Sequence, residues 1–217
     1  GSACPEPRRA WGLVVVLTIA YAISFVDRQI ISLMVEPIKA YLHLSDTQIS
    51  LLMGPAFAVF YTIMGIPLGR VADKFNRRNL IVIGMTLWCL MTAASGLARN
   101  FAQLFVARMG IGVGEATLSP AALSMISDSF PPEKRTSPIG FYNSAIYIGS
   151  GLALVLGGVV IQIVTNSPPV NVPLVGELVP WQTTFIIVGL PGLIIAAIIG
   201  FMREPTRKDV IKSEDGD

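Results

Sequence analysis

Charge is what this chain has least of. Asp, Glu, Lys and Arg make up 14% of its 217 residues, where a soluble domain carries about 25%. Hydrophobic residues make up 53%. That balance excludes an ordinary soluble globule. Histidine occurs once, at His43, and cysteine only as Cys4 and Cys89. So few ligand-type residues form no metal cluster, and no metal or cofactor is expected. Cys4 lies in an N-terminal tail and Cys89 in the middle of an apolar segment, so a disulfide is not expected. The net charge is only +2, so nucleic acid is not an expected partner. The first apolar run is long and lacks a small-residue cleavage site, which argues against a signal peptide.

What is present is a series of long apolar runs. A membrane-spanning helix needs roughly 20 mostly apolar residues. Six stretches qualify, at about 11–35, 47–69, 78–98, 101–127, 137–164 and 181–202. The expected organisation is a tail over 1–10, an all-α six-helix membrane domain over 11–202, and a tail or linker over 203–217. Ser45 and Gln48 have the spacing of a capping box at the start of the second span. Asn100 can cap the fourth.

Lys and Arg set the orientation. One side receives Arg8, Arg9, Arg70, Lys74, Arg77, Arg78, Lys134, Arg135, Arg203, Arg207, Lys208 and Lys212. The other receives only Lys39 and Arg99. Both termini are therefore expected in the cytoplasm. The loop at about 165–180 is Pro-rich, free of Lys and Arg, and expected outside.

Glycine and proline recur inside the spans, at Gly54-Pro55, Gly65, Gly69, Pro120, Gly149, Gly151, Gly157-Gly158 and Pro191. Close helix packing and mild kinking explain them. Gly110-x-Gly112-x-Gly114 has no preceding strand and lies in an apolar helix, so it is not a nucleotide loop. Ser150 stands between two glycines with no in-membrane histidine to activate it. No enzymatic activity is expected.

Four charges lie well inside spans: Asp27, Arg28, Arg108 and Glu115. Each costs about 2.5–3.5 kcal/mol at mid-bilayer, so they must neutralise one another. Asp27 lies roughly 24 Å along the first span, and Arg108 roughly 10 Å from the outer end of the fourth. Both depths fall in the outer half of the membrane, which predicts an Asp27–Arg108 ion pair. Glu115 is seven residues beyond Arg108, on the same face and deeper. Polar residues extend these faces: Tyr21 and Ser24 on span one, Ser119 on span four, Asn143 and Tyr147 on span five. Such stripes line a wet cavity or act as polar glue between helices.

The second loop reads GRVADKFNRR. Its Gly69, Asp73, Lys74, Arg77 and Arg78 have the spacing of a signature, and the loop resembles the one between helices two and three of the major facilitator superfamily. That pattern has Gly where this chain has Asn76, a residue that tolerates a left-handed backbone better than most. RMGIGVGEA, residues 108–116, resembles the superfamily's helix-four motif. FVDRQ in span one, Arg108 with Glu115 in span four, and REP after span six resemble the spinster-like branch, the bacterial relatives of spinster lipid transporters.

The resemblance implies a twelve-helix fold in two halves, each of two inverted three-helix repeats, of which this chain is the N-terminal half. It implies a C-terminal six-helix half as partner, membrane lipids around it, and a bacterial inner membrane as location. It further implies alternating access, with Asp27, Arg28, Arg108 and Glu115 in proton coupling and substrate contact. The loop motif would gate. An amphiphile such as a lysophospholipid or sphingoid-type lipid would place its tail near Phe57, Tyr61 and Met64. An uncoupled facilitator for a small organic anion and a non-transporting scaffold remain as alternatives.

Overall fold

The computed structural model describes residues 5–173 and 176–207, without the side chains of 164 and 165. Cys4, Lys208, Lys212 and the rest of the tail beyond 207 lie outside the described residues.

The first span is one helix, α1 (Pro7–Leu33), followed by the short α2 (Val35–Leu42). The second is divided into α3 (Asp46–Met53) and α4 (Pro55–Lys74). The third is α5 (Arg77–Ser95). The fourth is divided into α6 (Phe101–Glu115) and α7 (Leu118–Ser129). A 3-10 turn at Pro132–Lys134 leads into α8 (Thr136–Thr165), the fifth span. The sixth is α9 (Pro180–Gly189) plus α10 (Gly192–Phe201).

Local chemistry explains the ends and breaks. Gln48 N donates to Ser45 Oγ at 3.2 Å and Ser45 N to Gln48 Oε1 at 3.0 Å, so the capping box forms. Asn100 Oδ1 accepts from Gln103 N at 2.9 Å. α4 restarts on Pro55, whose missing N–H would have had no helical partner there. Pro191 likewise divides α9 from α10. Between α6 and α7 the ladder is interrupted, and Thr117 Oγ1 donates to Gly114 O at 2.8 Å.

Among the described residues, five helices are long and apolar enough to cross a membrane. The fourth predicted span is not among them. It is broken into α6 and α7, of 15 and 12 residues, and carries Arg108 and Glu115, so length and apolarity alone do not identify it. Two elements were not anticipated. One is α2. The other is an antiparallel hairpin in the loop between the fifth and sixth spans, β1 (Val170–Val172) with β2 (Gly176–Leu178), Val170 opposite Leu178.

The core divides by depth. Met85, Trp88, Met125 and Tyr142 belong to one buried cluster, and Ile30, Leu104, Trp181 and Phe185 to a second. Cys89 is a buried free thiol in the first. α1 packs along α8, and α5 touches α6, α7, α9 and α10. Glycine permits the closest crossings. A methyl group at Gly114 would lie 2.6 Å from Gly84 O and 2.9 Å from Trp88 N, and one at Gly149 would lie 2.6 Å from Ala22 O. Around Gly65, Gly69, Gly151 and Gly158 there is no such crowding. Close packing therefore explains Gly114 and Gly149 but not those four.

Gly114→Ala should lower stability by about 1–3 kcal/mol, because rigid backbone must move. Gly65→Ala should be neutral or slightly stabilising, since alanine is the better helix former by about 1 kcal/mol. Thermal melting of the full-length protein in detergent checks the contrast; equal melting temperatures would contradict the crossing at Gly114.

Candidate functional site

Asp27 and Arg28 are neighbours on α1, so their side chains leave the helix about 100° apart. That rotation sends them to different surroundings. Arg28 Nε donates to Glu115 Oε2 of α6 at 2.5 Å. Glu115 is 1% exposed, while about a fifth of the Arg28 side chain remains exposed. The guanidinium carbon also lies 4.7 Å from the Phe25 ring centre, 4.8 Å from Phe57 and 4.9 Å from Tyr61.

The expected Asp27–Arg108 pair is not formed. Arg108, 2% exposed, donates from Nε to Leu52 O at 3.3 Å. Leu52 lies in the last turn of α3 just before the break, where carbonyl groups lose their helical donors and accept others. Arg108 also lies over the Phe57 ring at 5.5 Å. Asp27 is 1% exposed and is faced by Trp88 and Thr92 of α5. The Thr92 hydroxyl is committed to Trp88 O at 2.9 Å. Neither carboxylate oxygen of Asp27 has a hydrogen-bond partner among the described residues, nor do Arg108 Nη1 and Glu115 Oε1.

The other cavity candidates divide. Tyr21 stacks on Tyr142 of α8 at 4.7 Å, and Ser119 shares a hydrogen bond with the Tyr142 hydroxyl at 3.3 Å. Ser24 spends its hydroxyl on Tyr21 O of its own helix at 2.7 Å. Phe57 and Tyr61, expected beside a lipid tail, lie against the Arg28 guanidinium. Asn143 is exposed and Tyr147 is 81% exposed. Tyr142, adjacent to Asn143, is the residue that turns inward.

The loop motif builds a second network at the other end of the helices. Arg77, 1% exposed, donates from N and Nε to Glu204 Oε1 at 3.1 and 2.9 Å. Its Nη1 donates to Asp128 Oδ2 at 2.5 Å and Ser124 Oγ at 2.7 Å, and Nη2 to Pro205 O at 2.8 Å. Arg78 Nη1 donates to Met202 O at 3.0 Å. Arg207 donates to Ala72 O and Phe75 O at the end of α4. Asp73 and Lys74 are exposed. Asn76 does not use a left-handed backbone: with φ −65° it caps α5, accepting from Asn79 N at 2.8 Å. Asp128 was not foreseen, because an acid closing an apolar run looks like any helix end.

Two networks thus join separate spans, one deep and one at the motif loop. The sequence matches the Major Facilitator Superfamily over residues 17–216. The chain belongs to this superfamily. It is 34% identical over 193 residues to an MFS-type efflux pump of Mycolicibacterium smegmatis, covering 89% of this chain and 42% of that protein. It is 27% identical over 199 residues to a hexuronate transporter of Bacillus subtilis, covering 91% and 43%. Among solved structures it is similar to a bacterial homolog of the human lysosomal transporter Spinster, inward-facing and occupied, with TM-score 0.84 and 34% identity, covering 94% of this chain and 46% of the other. The chain thus spans less than half the length of these relatives. That coverage fits an N-terminal half of the superfamily's transporters, in which the motif loop joins spans two and three.

Arg77→Ala should cost about 3–5 kcal/mol, since Asp128 and Glu204 would be left without their shared cation. Exposed Arg8→Ala should stay within about 0.5 kcal/mol of the parent. Chemical denaturation of the full-length protein in mixed micelles measures both. A loss no greater for Arg77 than for Arg8 would refute the buried network.

Proposed function

We propose that this chain is the N-terminal half of a secondary active transporter that works by alternating access, couples to protons, and moves an amphiphilic substrate such as a lysophospholipid or sphingoid-type lipid. The observation that carries this is the imbalance among the four charges deep in the spans. Only Arg28 and Glu115 form an ion pair. Asp27, Arg108 and the second Glu115 oxygen keep unused hydrogen-bonding capacity. Polar glue tends to full satisfaction, because unpaired buried groups are costly. Spare capacity suits groups that change partners during a cycle. Asp27 can meet Arg108 in another conformation and exchange a proton as that contact forms and breaks.

A C-terminal half would cover the polar face, which otherwise meets lipid at several kcal/mol. With twelve cations on one side, that end faces the cytoplasm of a bacterial inner membrane, termini included. Exposed Asp73 would then approach a helix N-terminus of the other half and stabilise one state by about 0.3–1 kcal/mol. Asp73→Asn should shift cysteine accessibility between the two sides without altering substrate affinity; unchanged accessibility would remove the gating role.

A second reading is an uncoupled carrier of a small organic anion. Two guanidinium groups flanking Phe57 favour it, as does similarity to a hexuronate transporter.

Proteoliposomes of the full-length protein separate the readings. Asp27→Asn should abolish proton-driven uptake while leaving the protein folded. Parental rates and pH dependence in the variant would refute proton exchange at Asp27. Hexuronate uptake that ignores the proton gradient would select the second reading.

A further inference from the structure

Arg28 is held more elaborately than an ion pair requires. Its guanidinium lies within 4.9 Å of three ring centres, Phe25 from α1 and Phe57 and Tyr61 from α4. Glu115 of α6 supplies the carboxylate. Phe57 and Tyr61 stack at 5.4 Å and 20°, so they form one wall. Electron-rich ring faces with an acid beside them are how proteins recognise alkylated ammonium groups. Three separate helices build this enclosure. Its present occupant is a long, rotamer-rich side chain of which about a fifth is exposed.

We infer that Phe25, Phe57, Tyr61 and Glu115 form a receptor for an organic cation, a quaternary or alkylated ammonium head group, which Arg28 occupies as a tethered competitor until the substrate displaces it. This rests on the amphiphilic-substrate reading and names the head group of that substrate. The exchange replaces one cation by another, so Glu115 never becomes an uncompensated buried charge. An alkylated ammonium is weakly hydrated and loses little on entering an aromatic enclosure. A neutral group of equal size fills the space but gains no attraction from the ring faces or from Glu115. Displacement also frees the Arg28 guanidinium, so substrate binding and rearrangement of the charged cluster become one event.

The test uses the full-length protein in nanodiscs and two probes on the same twelve-carbon chain. One carries a trimethylammonium head, the other its neutral carbon isostere. Arg28→Gln removes the competitor but keeps an amide that can donate to Glu115. It should bind the cationic probe about tenfold more tightly than the parent and the neutral probe no differently. Adding Phe57→Leu or Tyr61→Leu should abolish the gain. If Arg28→Gln fails to fold, the parent's own preference for the cationic probe, diminished by Phe57→Leu, reads the same site. Equal affinity for the two probes, or a gain that survives Phe57→Leu, overturns the receptor. Proton-driven lipid uptake by the parent without cation discrimination would sink the receptor alone. Discrimination without proton-driven uptake would sustain the receptor and sink the transport reading.

Discussion

The ion pair between Arg28 and Glu115 is the contact on which the rest of the site depends. It ties the first span to the fourth at a depth where a lone charge is costly. A buried pair repays its desolvation only with good geometry and further partners. Here three rings supply those partners to the cation. Once Glu115 has taken Arg28, Arg108 is left to a carbonyl at the break before α4, and among the described residues Asp27 has no cation within bonding distance. One strong contact therefore sets the state of the other two charges. A cluster with a single committed pair has several near-equivalent arrangements, and a fully matched quartet would have one.

The Arg77 network has the opposite character. Every nitrogen of its guanidinium donates, as does its backbone N–H, and the acceptors come from α7 and from the segment after α10. Satisfied polar networks of this kind rigidify what they join. The start of α5, the end of α7 and the exit from α10 are fixed to one another at the end where the motif loop lies. The deep cluster can then change partners while the helix ends keep their register.

Legibility in the sequence followed the strength of the local signal. Long apolar runs are hard to misread, so five of the spans were visible as such, and local polar signals gave the Ser45 capping box and the Asn100 cap that starts the fourth. The four charges deep in the spans were visible because charge inside an apolar run has few explanations. Their pairing was not. A single residue on a helix turns a side chain by about 100°, and depth arithmetic cannot distinguish Asp27 from Arg28 as the partner reaching α6. The same sensitivity hid Tyr142, the buried neighbour of Asn143. The hairpin at Val170–Leu178 was hidden by a Pro-rich loop whose strands are three residues each. The partners of Arg77 were beyond reach for another reason: Asp128 and Glu204 are 51 and 127 residues away along the chain.

The glycines of α6 belong to the same mechanism as its charges. A methyl group at Gly112 would lie 2.7 Å from Phe57 O, and one at Gly114 would strike α5. Their absence lets α6 sit close against α4 and α5, which sets where Arg108 and Glu115 stand. Phe57 therefore senses α6 twice. Its carbonyl rests against Gly112, while its ring contacts both Arg28 and Arg108. Dense packing transmits a small shift instead of absorbing it. A displacement of α6 along α4 would move the carbonyl contact and change the distances from that ring to both guanidinium groups. Phe57, which carries no charge, is thus placed to link the position of a helix to the pairing of the charges around it.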